Sequence, residues 1–352
     1  MTSQERVSVV LSGGVPDRVP FHDSYWGTTI QRWRSEGLPG DVAPDRYFGC
    51  EIARLGGDYS LQLPVQIIEE SERYRVYKDS NGATRKDLRT PDGWTPQWLD
   101  FSIKNRDDWQ RLKEYDRYNP ARLSNRLSES YSSIRNRQKF ITYSIHGCFH
   151  STWSKIGMET LLIWMLDDPE LIQDMFATHT QLAIDLYDGI KEAGVQCDGA
   201  WVSDDLGYRI APLISPDLYH TLVMPYHKKM CEHFAKDGLK TMLHSDGNVQ
   251  PLIPHFLEAG FGALHPLESK AGLDVRELKP LYGDRLVLFG NIDVRKLAGS
   301  REEIEEEIRT KVTAAKQGGG YIYHSDHSVP SNASFENYCF AVEMVKKYGD
   351  YS

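Results

Sequence analysis

Six short apolar segments of this chain each end in polar side chains that can bind ligands or move protons. They lie at residues 140–147, 199–207, 239–247, 262–268, 286–293 and 320–330. Short apolar runs between turn-forming residues are typical of strands buried on both faces, as in a parallel sheet. The segments between them are long enough for helices. The pattern therefore predicts an α/β fold, a (β/α)8 barrel of the TIM type, with a site at the mouth where the strands end.

The remaining sequence fits a single domain over residues 1–352 with an N-terminal extension, since no low-complexity or Pro/Ser-rich linker divides it. The pattern predicts a helix over residues 44–57 and a strand over 57–63. The segment 66–101 alternates polar and apolar side chains around Asn81-Gly82, which is a strong signal for a tight turn. We therefore predict an antiparallel hairpin and cap at 66–101, inserted beside the barrel.

Composition and charge argue against several classes of protein. Hydrophobic residues make up 40% of the 352 residues, and the net charge of −9 comes without a basic stripe, which disfavours a nucleic-acid partner. The first residues lack a signal-peptide pattern, and no apolar stretch approaches the roughly 20 residues that span a bilayer. The five cysteines are dispersed, as expected for reduced thiols. We expect a cytoplasmic protein with no membrane partner; its oligomeric state, with a homodimer as one option, stays open.

Four predicted strand ends carry the residues of a candidate metal site. These residues are Asp205, His244, Asp246 and Glu268, and the group His324, Asp326 and His327. His244 and Asp246 share one face of an extended strand because they are two residues apart. Imidazole and carboxylate ligands that meet at a barrel mouth suit Zn²⁺. Each side chain alone could equally cap a helix or bond loop amides. Which residue of the last group faces inward stays open, because a shift of one residue exchanges the faces.

Together with motifs elsewhere, these strand ends resemble the uroporphyrinogen decarboxylase superfamily. The motifs are residues 16–20, 157–159, 167–170, 244–247, 283–295 and 334–345. The resemblance covers nearly the whole chain and implies a TIM barrel. It also implies one of two activities, which are cofactor-free decarboxylation of a porphyrinogen and zinc-dependent methyl transfer to or from a corrinoid protein.

One segment separates these two activities. The decarboxylases carry an arginine-rich N-terminal segment, of the form RQAGRYLPEYR, that holds the carboxylates of the substrate. Residues 22–33 stand in the corresponding region here, and they are aromatic and nearly uncharged. The clamps for a polycarboxylate are therefore missing. The chain is more similar to the zinc- and corrinoid-dependent methyltransferase branch, and it resembles the methyltransferase I component of O-demethylases.

The resemblance also implies a ligand set. Zinc methyltransferases, and the similar barrel of cobalamin-independent methionine synthase, use a His-x-Cys pair on one strand and a Cys from the last strand; the synthase adds a Glu. The matching residues here are His244, Asp246, Glu268 and Asp326, with His324 or His327 as substitutes for a carboxylate. Both thiolate positions are thus carboxylates. An oxygen-rich zinc site is a harder Lewis acid, suited to an ether or phenolic oxygen rather than to a thiol.

The expected activity is transfer of a methyl group from a methoxylated aromatic, or another methylated small molecule, to the Co(I) of a corrinoid protein. That partner would bring the corrinoid, because the DxHxxG motif of cobalamin-binding modules is absent. Asp205 and His244 are the predicted catalytic residues, with Asp205 orienting the substrate or acting as general acid. The aromatic residues predicted to bind the substrate are Tyr25, Trp26, Trp94, Phe149, Trp153 and Tyr208.

Two alternatives stay open at this point. A metal-free decarboxylase or lyase acting on a small aromatic acid would use Asp205 and His244 for acid–base catalysis. A non-catalytic subunit of a methyl-transfer complex would depend on neither residue. Metal analysis of the purified protein separates the first alternative from the zinc methyltransferase.

Overall fold

The computed structural model describes residues 1–88 and 96–351. Strands in these residues form two sheets. The strands are β1 (Ile52–Leu55), β2 (Gln66–Glu70), β3 (Tyr74–Lys78), β4 (Thr84–Leu88), β5 (Pro96–Asp100), β6 (Phe140–His146), β7 (Gly199–Ser203), β8 (Lys240–His244), β9 (Phe261–His265), β10 (Val287–Phe289) and β11 (Tyr321–Ile322). The predicted α/β fold with a parallel sheet is confirmed, because β1 and β6 to β11 form a seven-stranded sheet in which each neighbouring pair is parallel.

Helices connect most successive strands of the parallel sheet. They are α1 (Ser3–Leu11), α2 (Gly27–Glu36), α3 (Pro44–Tyr47), α4 (Arg106–Leu112), α5 (Leu127–Arg135), α6 (Cys148–Ile156), α7 (Met158–Asp167), α8 (Pro169–Glu192), α9 (Pro216–Leu218), α10 (Met224–Ala235), α11 (Ile253–Ala259), α12 (Val275–Tyr282), α13 (Arg301–Ala315) and α14 (Phe335–Gly349). Local sequence sets their starts: Asp168 caps α8 ahead of Pro169, and Ser300 and Glu303 form a capping box on α13. None of the helices in the described part of the chain is both long and apolar enough to span a lipid bilayer.

The segment around Phe21 joins the two outer strands of the parallel sheet. Phe21 forms a parallel bridge with Tyr323, just after β11, and its carbonyl accepts a hydrogen bond of 2.8 Å from the N–H of Glu51, just before β1. The Glu51 carboxylate in turn accepts hydrogen bonds from the Phe21 N–H at 2.7 Å, from Arg18 Nη2 at 2.9 Å and from Arg6 of α1. The seven strands and this segment therefore form a ring, which is consistent with the predicted TIM-type barrel.

An inner hydrophobic core fills the ring. The strand side chains in it are Ile52, Phe140, Trp201, Met242, Ala263, Val287, Phe289 and Ile322. Val7, Val10 and Leu11 of α1 belong to the same core. The N–H of Gln4 donates to the carbonyl of Gln138, just before β6, so α1 lies across the amino ends of the strands. The mouth of the ring is therefore at the carboxyl ends, as the sequence predicts.

The second sheet is antiparallel and has the order β2-β3-β4-β5. Asn81-Gly82 lies in the turn between β3 and β4, as predicted, and Gly82 adopts a φ of +76° that favours glycine. The described residues of the insertion at 66–101 thus form four strands, where the sequence predicts a single hairpin followed by a cap. Residues 89–95, which include the predicted pocket residue Trp94, lie outside the described residues.

The helix predicted over residues 44–57 is wrong beyond its first turn. It ends at Tyr47, and Ile52–Leu55 forms β1, which pairs with β6. No strand is present at 57–63. Periodicity over such a short apolar run does not separate a buried strand from a helix. The correction matters because Arg54 shares a strand face with Ile52 of the inner core, and so it points into the ring.

Candidate active site

Three neighbouring strands bring polar residues together at the mouth of the ring. The last residues of β7, β8 and β9 are direct neighbours in the parallel register. His244 is the last residue of β8, and Asp246 follows two residues later. Asp205 lies just after β7, and Glu268 lies just after β9. The loops that carry these carboxylates therefore leave the sheet at the same level.

These side chains form two groups that share Asp246. In the first group, ligand atoms of Asp205, His244 and Asp246 lie within 4.8 Å of one another. His244 Nε2 is 3.6 Å from Asp205 Oδ1 and 3.9 Å from Asp246 Oδ1. In the second, ligand atoms of Asp246, Glu268 and His327 also lie within 4.8 Å of one another. The structure thus brings together His244, Asp246 and Glu268 of the predicted ligands, the predicted catalytic Asp205, and His327.

The carboxylates of the site alter one another's protonation. Burial and the charges of Asp205 and Glu268 raise the pKa of Asp246 to about 7. Burial acts to raise the pKa of Asp205 too, but the nearby imidazoles of His150 and His244 lower it to about 2. Asp246 Oδ1 is buried and has no hydrogen-bond partner within the described residues. A cation at this point would offset the repulsion around Asp246 and supply the missing partner.

Glycines allow the ligand-bearing loops to touch. A Cβ atom on Gly207 would lie 2.4 Å from the carbonyl oxygen of Asp246, and Gly247 has a φ of +82°. The N–H of Gly247 donates a hydrogen bond of 2.9 Å to Glu268 Oε2, while Lys270 Nζ lies 2.9 Å from Oε1. The Glu268 carboxylate is therefore held against the loop that carries Asp246.

His265 holds the His244 imidazole on the side away from the carboxylates. The two Nδ1 atoms are 2.7 Å apart, so one ring donates to the other. A proton on His244 Nδ1 leaves its Nε2 free as a ligand beside Asp205 and Asp246. Burial and neighbouring imidazoles lower the pKa of His265, which keeps it neutral and able to accept this bond. Sequence reasoning missed His265 because it lies within β9, and its pairing with His244 depends on the register.

Asp326, predicted as the fourth ligand, lies outside both groups. It is fully buried, and its carboxylate accepts hydrogen bonds from the N–H groups of Ser269 at 3.1 Å and Val294 at 3.0 Å. Its contacts therefore join two loops to the last strand. His324 also lies outside the groups, and its Nδ1 contacts the carbonyl of the next residue. Of the three residues at this strand end, His327 is the one that lies in a ligand group.

The predicted substrate-binding aromatic residues lie in different environments. Trp26 is 45% exposed and stacks on His327, with ring centroids 5.6 Å apart. Tyr208 is also at the surface, 66% exposed. Tyr25 packs in the outer core against other aromatic rings, and Phe149 is fully buried. Trp26 is thus the one of these four that contacts a residue of the ligand groups.

A cavity of about 400 Å³ lies between the antiparallel sheet and the mouth of the ring. Its walls include Arg85 and Trp98 of the sheet, and Tyr59, His146, His150 and Trp153 on the barrel side. Successive rings on the barrel side have centroids 4.0 to 4.7 Å apart. His150 Nδ1 is 3.6 Å from Asp205 Oδ2, so the cavity adjoins the first ligand group. Its size and aromatic walls suit one small, flat ligand.

Comparison with known proteins places the fold and the motifs in one family. The family model described as Uroporphyrinogen decarboxylase (URO-D) matches residues 87–348. The chain belongs to the uroporphyrinogen decarboxylase family. This match covers β6 to β11, and so it includes Asp205, His244, Asp246 and Glu268.

Individual relatives are distant. A uroporphyrinogen decarboxylase of Syntrophotalea carbinolica is 26% identical over 192 residues, covering 52% of this chain and 50% of the relative. One from Pseudoalteromonas atlantica is 23% identical over 218 residues, covering 59% and 55%. The chain thus matches about half the length of these curated relatives. Among solved structures, a methyltransferase from Methanosarcina mazei has the same fold, with a TM-score of 0.67 and 18% identity over 99% of both chains.

Proposed function

We propose that this protein is a methyltransferase built on a single TIM-type barrel domain over residues 1–352. It moves a methyl group from a methoxylated aromatic compound, or another methylated small molecule, to the Co(I) of a corrinoid protein. The C–O bond breaks, the phenolate leaves with the electron pair, and the methyl group bonds to cobalt. The corrinoid arrives with its own carrier protein, which is the partner that this proposal requires.

The observation that carries the proposal is that Asp246 belongs to two adjoining groups of ligand atoms, one with Asp205 and His244 and the other with Glu268 and His327. One imidazole nitrogen and carboxylate oxygens form a donor set that suits Zn²⁺. Asp246 belongs to both ligand groups, and its Oδ1 is buried without a partner in the described part of the chain. When bound, Zn²⁺ would supply a Lewis acid that withdraws electrons from the ether oxygen and stabilises the phenolate.

The chain's own residues have separate tasks in this proposal. His265 fixes the orientation of His244 through the bond between their Nδ1 atoms. Asp205 has a lowered pKa and is ionised at neutral pH, so it orients the substrate or a ligand rather than acting as general acid. His327 is the alternative ligand, and Trp26 packs against it.

Two features support methyl transfer over porphyrinogen decarboxylation. Residues 22–33 contain one arginine, Arg32. Its guanidinium already pairs with Glu36 at 2.6 Å and donates a hydrogen bond of 2.7 Å to the carbonyl of Ser331. A polycarboxylate would find no free guanidinium there. The structural relative named a methyltransferase agrees with this interpretation. The curated relatives are named uroporphyrinogen decarboxylases. A metal-free decarboxylase that acts on a small aromatic acid is therefore the alternative function.

The test combines metal analysis with a methyl-transfer assay. The purified protein, loaded with Zn²⁺, is mixed with cob(I)alamin and a panel of methoxyarenes, and methylcobalamin is followed by its absorbance. The wild type should bind one zinc per chain and form methylcobalamin, and His244→Ala should lose both properties. His233→Ala, which removes an imidazole paired with Asp188 on the outer surface, should keep both. A metal-free protein that releases CO₂ from aromatic acids would refute the proposal.

A further inference from the structure

Arg54 places a guanidinium without a protein counter-ion in the mouth of the ring. It lies on β1 and points inward, and its Cζ is 5.1 Å from the centroid of the Trp201 ring. No carboxylate lies within 4.0 Å of its nitrogen atoms, and its side chain makes no hydrogen bond, within residues 1–88 and 96–351. Arg6, a buried arginine of α1, contrasts with it, because Asp17 and Glu51 neutralise its charge.

Arg54 is exposed to solvent at the mouth, and no carboxylate among the described residues pairs with its guanidinium. Partial desolvation lowers the pKa of Arg54 itself, and the opposing interaction comes from Tyr59, which is a phenol and not a carboxylate. Because Arg54 has no protein partner, its guanidinium is available to an anionic ligand that enters the mouth.

The space next to Arg54 suits a ligand with an aromatic ring. The Arg54 guanidinium lies over the Trp201 ring, and the other neighbour of that ring is His244, with ring centroids 6.3 Å apart. The guanidinium and the candidate metal ligand thus lie against the same indole ring. Tyr59, whose phenol affects the pKa of Arg54, lines the cavity of about 400 Å³ described above. Arg85, which lines the cavity, differs from Arg54 because Asp87 and Asp79 lie 3.3 and 4.0 Å from its guanidinium.

We propose that Arg54 binds a carboxylate group on the methyl donor, so that the substrate class is methoxylated aryl carboxylates. The planar guanidinium can donate two parallel hydrogen bonds to such a group, while the ring lies against the aromatic wall. Arg54 is a substrate-binding residue in this proposal and takes no part in breaking the C–O bond. The choice of methyl donor rests on the proposed function, but the binding of the carboxylate can be measured without it.

The experiment measures binding of two ligands of equal shape to the zinc-loaded protein, without a methyl acceptor. The ligands are 3-methoxybenzoate and its neutral amide, 3-methoxybenzamide, titrated by calorimetry. The wild type should bind the carboxylate about 10- to 100-fold more tightly than the amide, as expected for one charge-assisted pair. Arg54→Gln should reduce this preference to near one. Arg54→Lys keeps the charge without the planar fork and should retain part of the preference.

Arg85→Gln is the matched control, since it removes a cation from the cavity wall that already has carboxylate partners. It should retain the wild-type preference. Equal affinity of the wild type for both ligands, or an unchanged preference in Arg54→Gln, would overturn the proposal.

Thermal unfolding shows whether Arg54→Gln is folded. If this variant is unfolded, the proposal is tested by Arg54→Lys and by the affinities of the wild type for the two ligands. Demethylation of neutral methoxyarenes without carboxylate preference would overturn this inference and leave the proposed function standing. A clear preference without any methyl transfer would support Arg54 and refute the proposed function.

Discussion

Replacement of Asp246 by asparagine should stabilise the metal-free protein and weaken its response to zinc. Asp246 has a pKa of 3.8 in an unfolded chain, and burial with the charges of Asp205 and Glu268 raises it to about 7 in the folded protein. A raised pKa means that this group's contribution to stability is complete below pH 3.8 and is lost as the pH rises to about 7. The metal-free wild type therefore carries an ionised, repelled carboxylate at pH 8.

The pKa values set the size of this effect. The difference between the unfolded and folded pKa corresponds to about 4 kcal/mol at 1.36 kcal/mol per pH unit. Because the Asp246 side chain is 34% exposed, solvent screening reduces the expected value to about 2 kcal/mol. Between pH 5 and pH 8, the advantage of Asp246→Asn over the wild type should grow by about 1 kcal/mol.

Urea unfolding in the presence of a chelator, followed by tryptophan fluorescence at both pH values, measures this advantage. For Asp41→Asn, which removes an exposed carboxylate, the difference in free energy of unfolding from the wild type should be the same at pH 5 and pH 8. Saturating Zn²⁺ at about 100 times its dissociation constant should stabilise the wild type by about 2.7 kcal/mol and the variant by clearly less. A variant that is less stable than the wild type at pH 8 without metal, or that gains as much from zinc, would refute the assignment of Asp246.

Two further substitutions test the packing around the site. Lys155→Met should cost about 3–5 kcal/mol of unfolding free energy, because Lys155 and Asp116 are each 1% exposed and pair at 2.9 Å; an unchanged urea midpoint would contradict this. Gly207→Ala should weaken zinc binding at least tenfold by equilibrium dialysis, since its Cβ would lie 2.4 Å from the Asp246 carbonyl and push that loop away. Wild-type zinc affinity in this variant would show that the contact between the loops is dispensable.

The parallel sheet could be predicted from sequence because its strands are apolar runs of a length that helices rarely have. β6, β7, β8, β10 and β11 each fall within a predicted segment, and β9 begins one residue before its segment. The antiparallel sheet was predicted in part: the turn at Asn81-Gly82 has a strong local signal, whereas β5 starts at Pro96 and is half-exposed, so it has neither an apolar run nor clear alternation. β1 has four residues, and periodicity over so short a run does not separate a strand from a helix.

Sequence reasoning identified the site residues that follow recognisable strands, which include Asp205, His244 and Glu268. The spacing of His244 and Asp246 places both on one side, and the structure brings them together. Asp326 follows a strand of two residues, so the rule of alternating faces has no regular strand on which to act. His265 and Arg54 depend on the register and on the closure of the ring, which are set by contacts between distant parts of the chain. Their positions beside the candidate site therefore follow only from the three-dimensional structure.

The closure of the ring by the segment around Phe21 has a consequence for folding during synthesis on the ribosome. The segment that closes the ring emerges first, but its neighbour emerges last: Asp23 and Ser325, 302 residues apart, are hydrogen-bonded there. Until Tyr321–Ile322 has been synthesised, the growing sheet has two outer strands with unpaired amides and carbonyls. A chain truncated before that point would keep these open strand edges, and we therefore expect it to pair with other chains and aggregate.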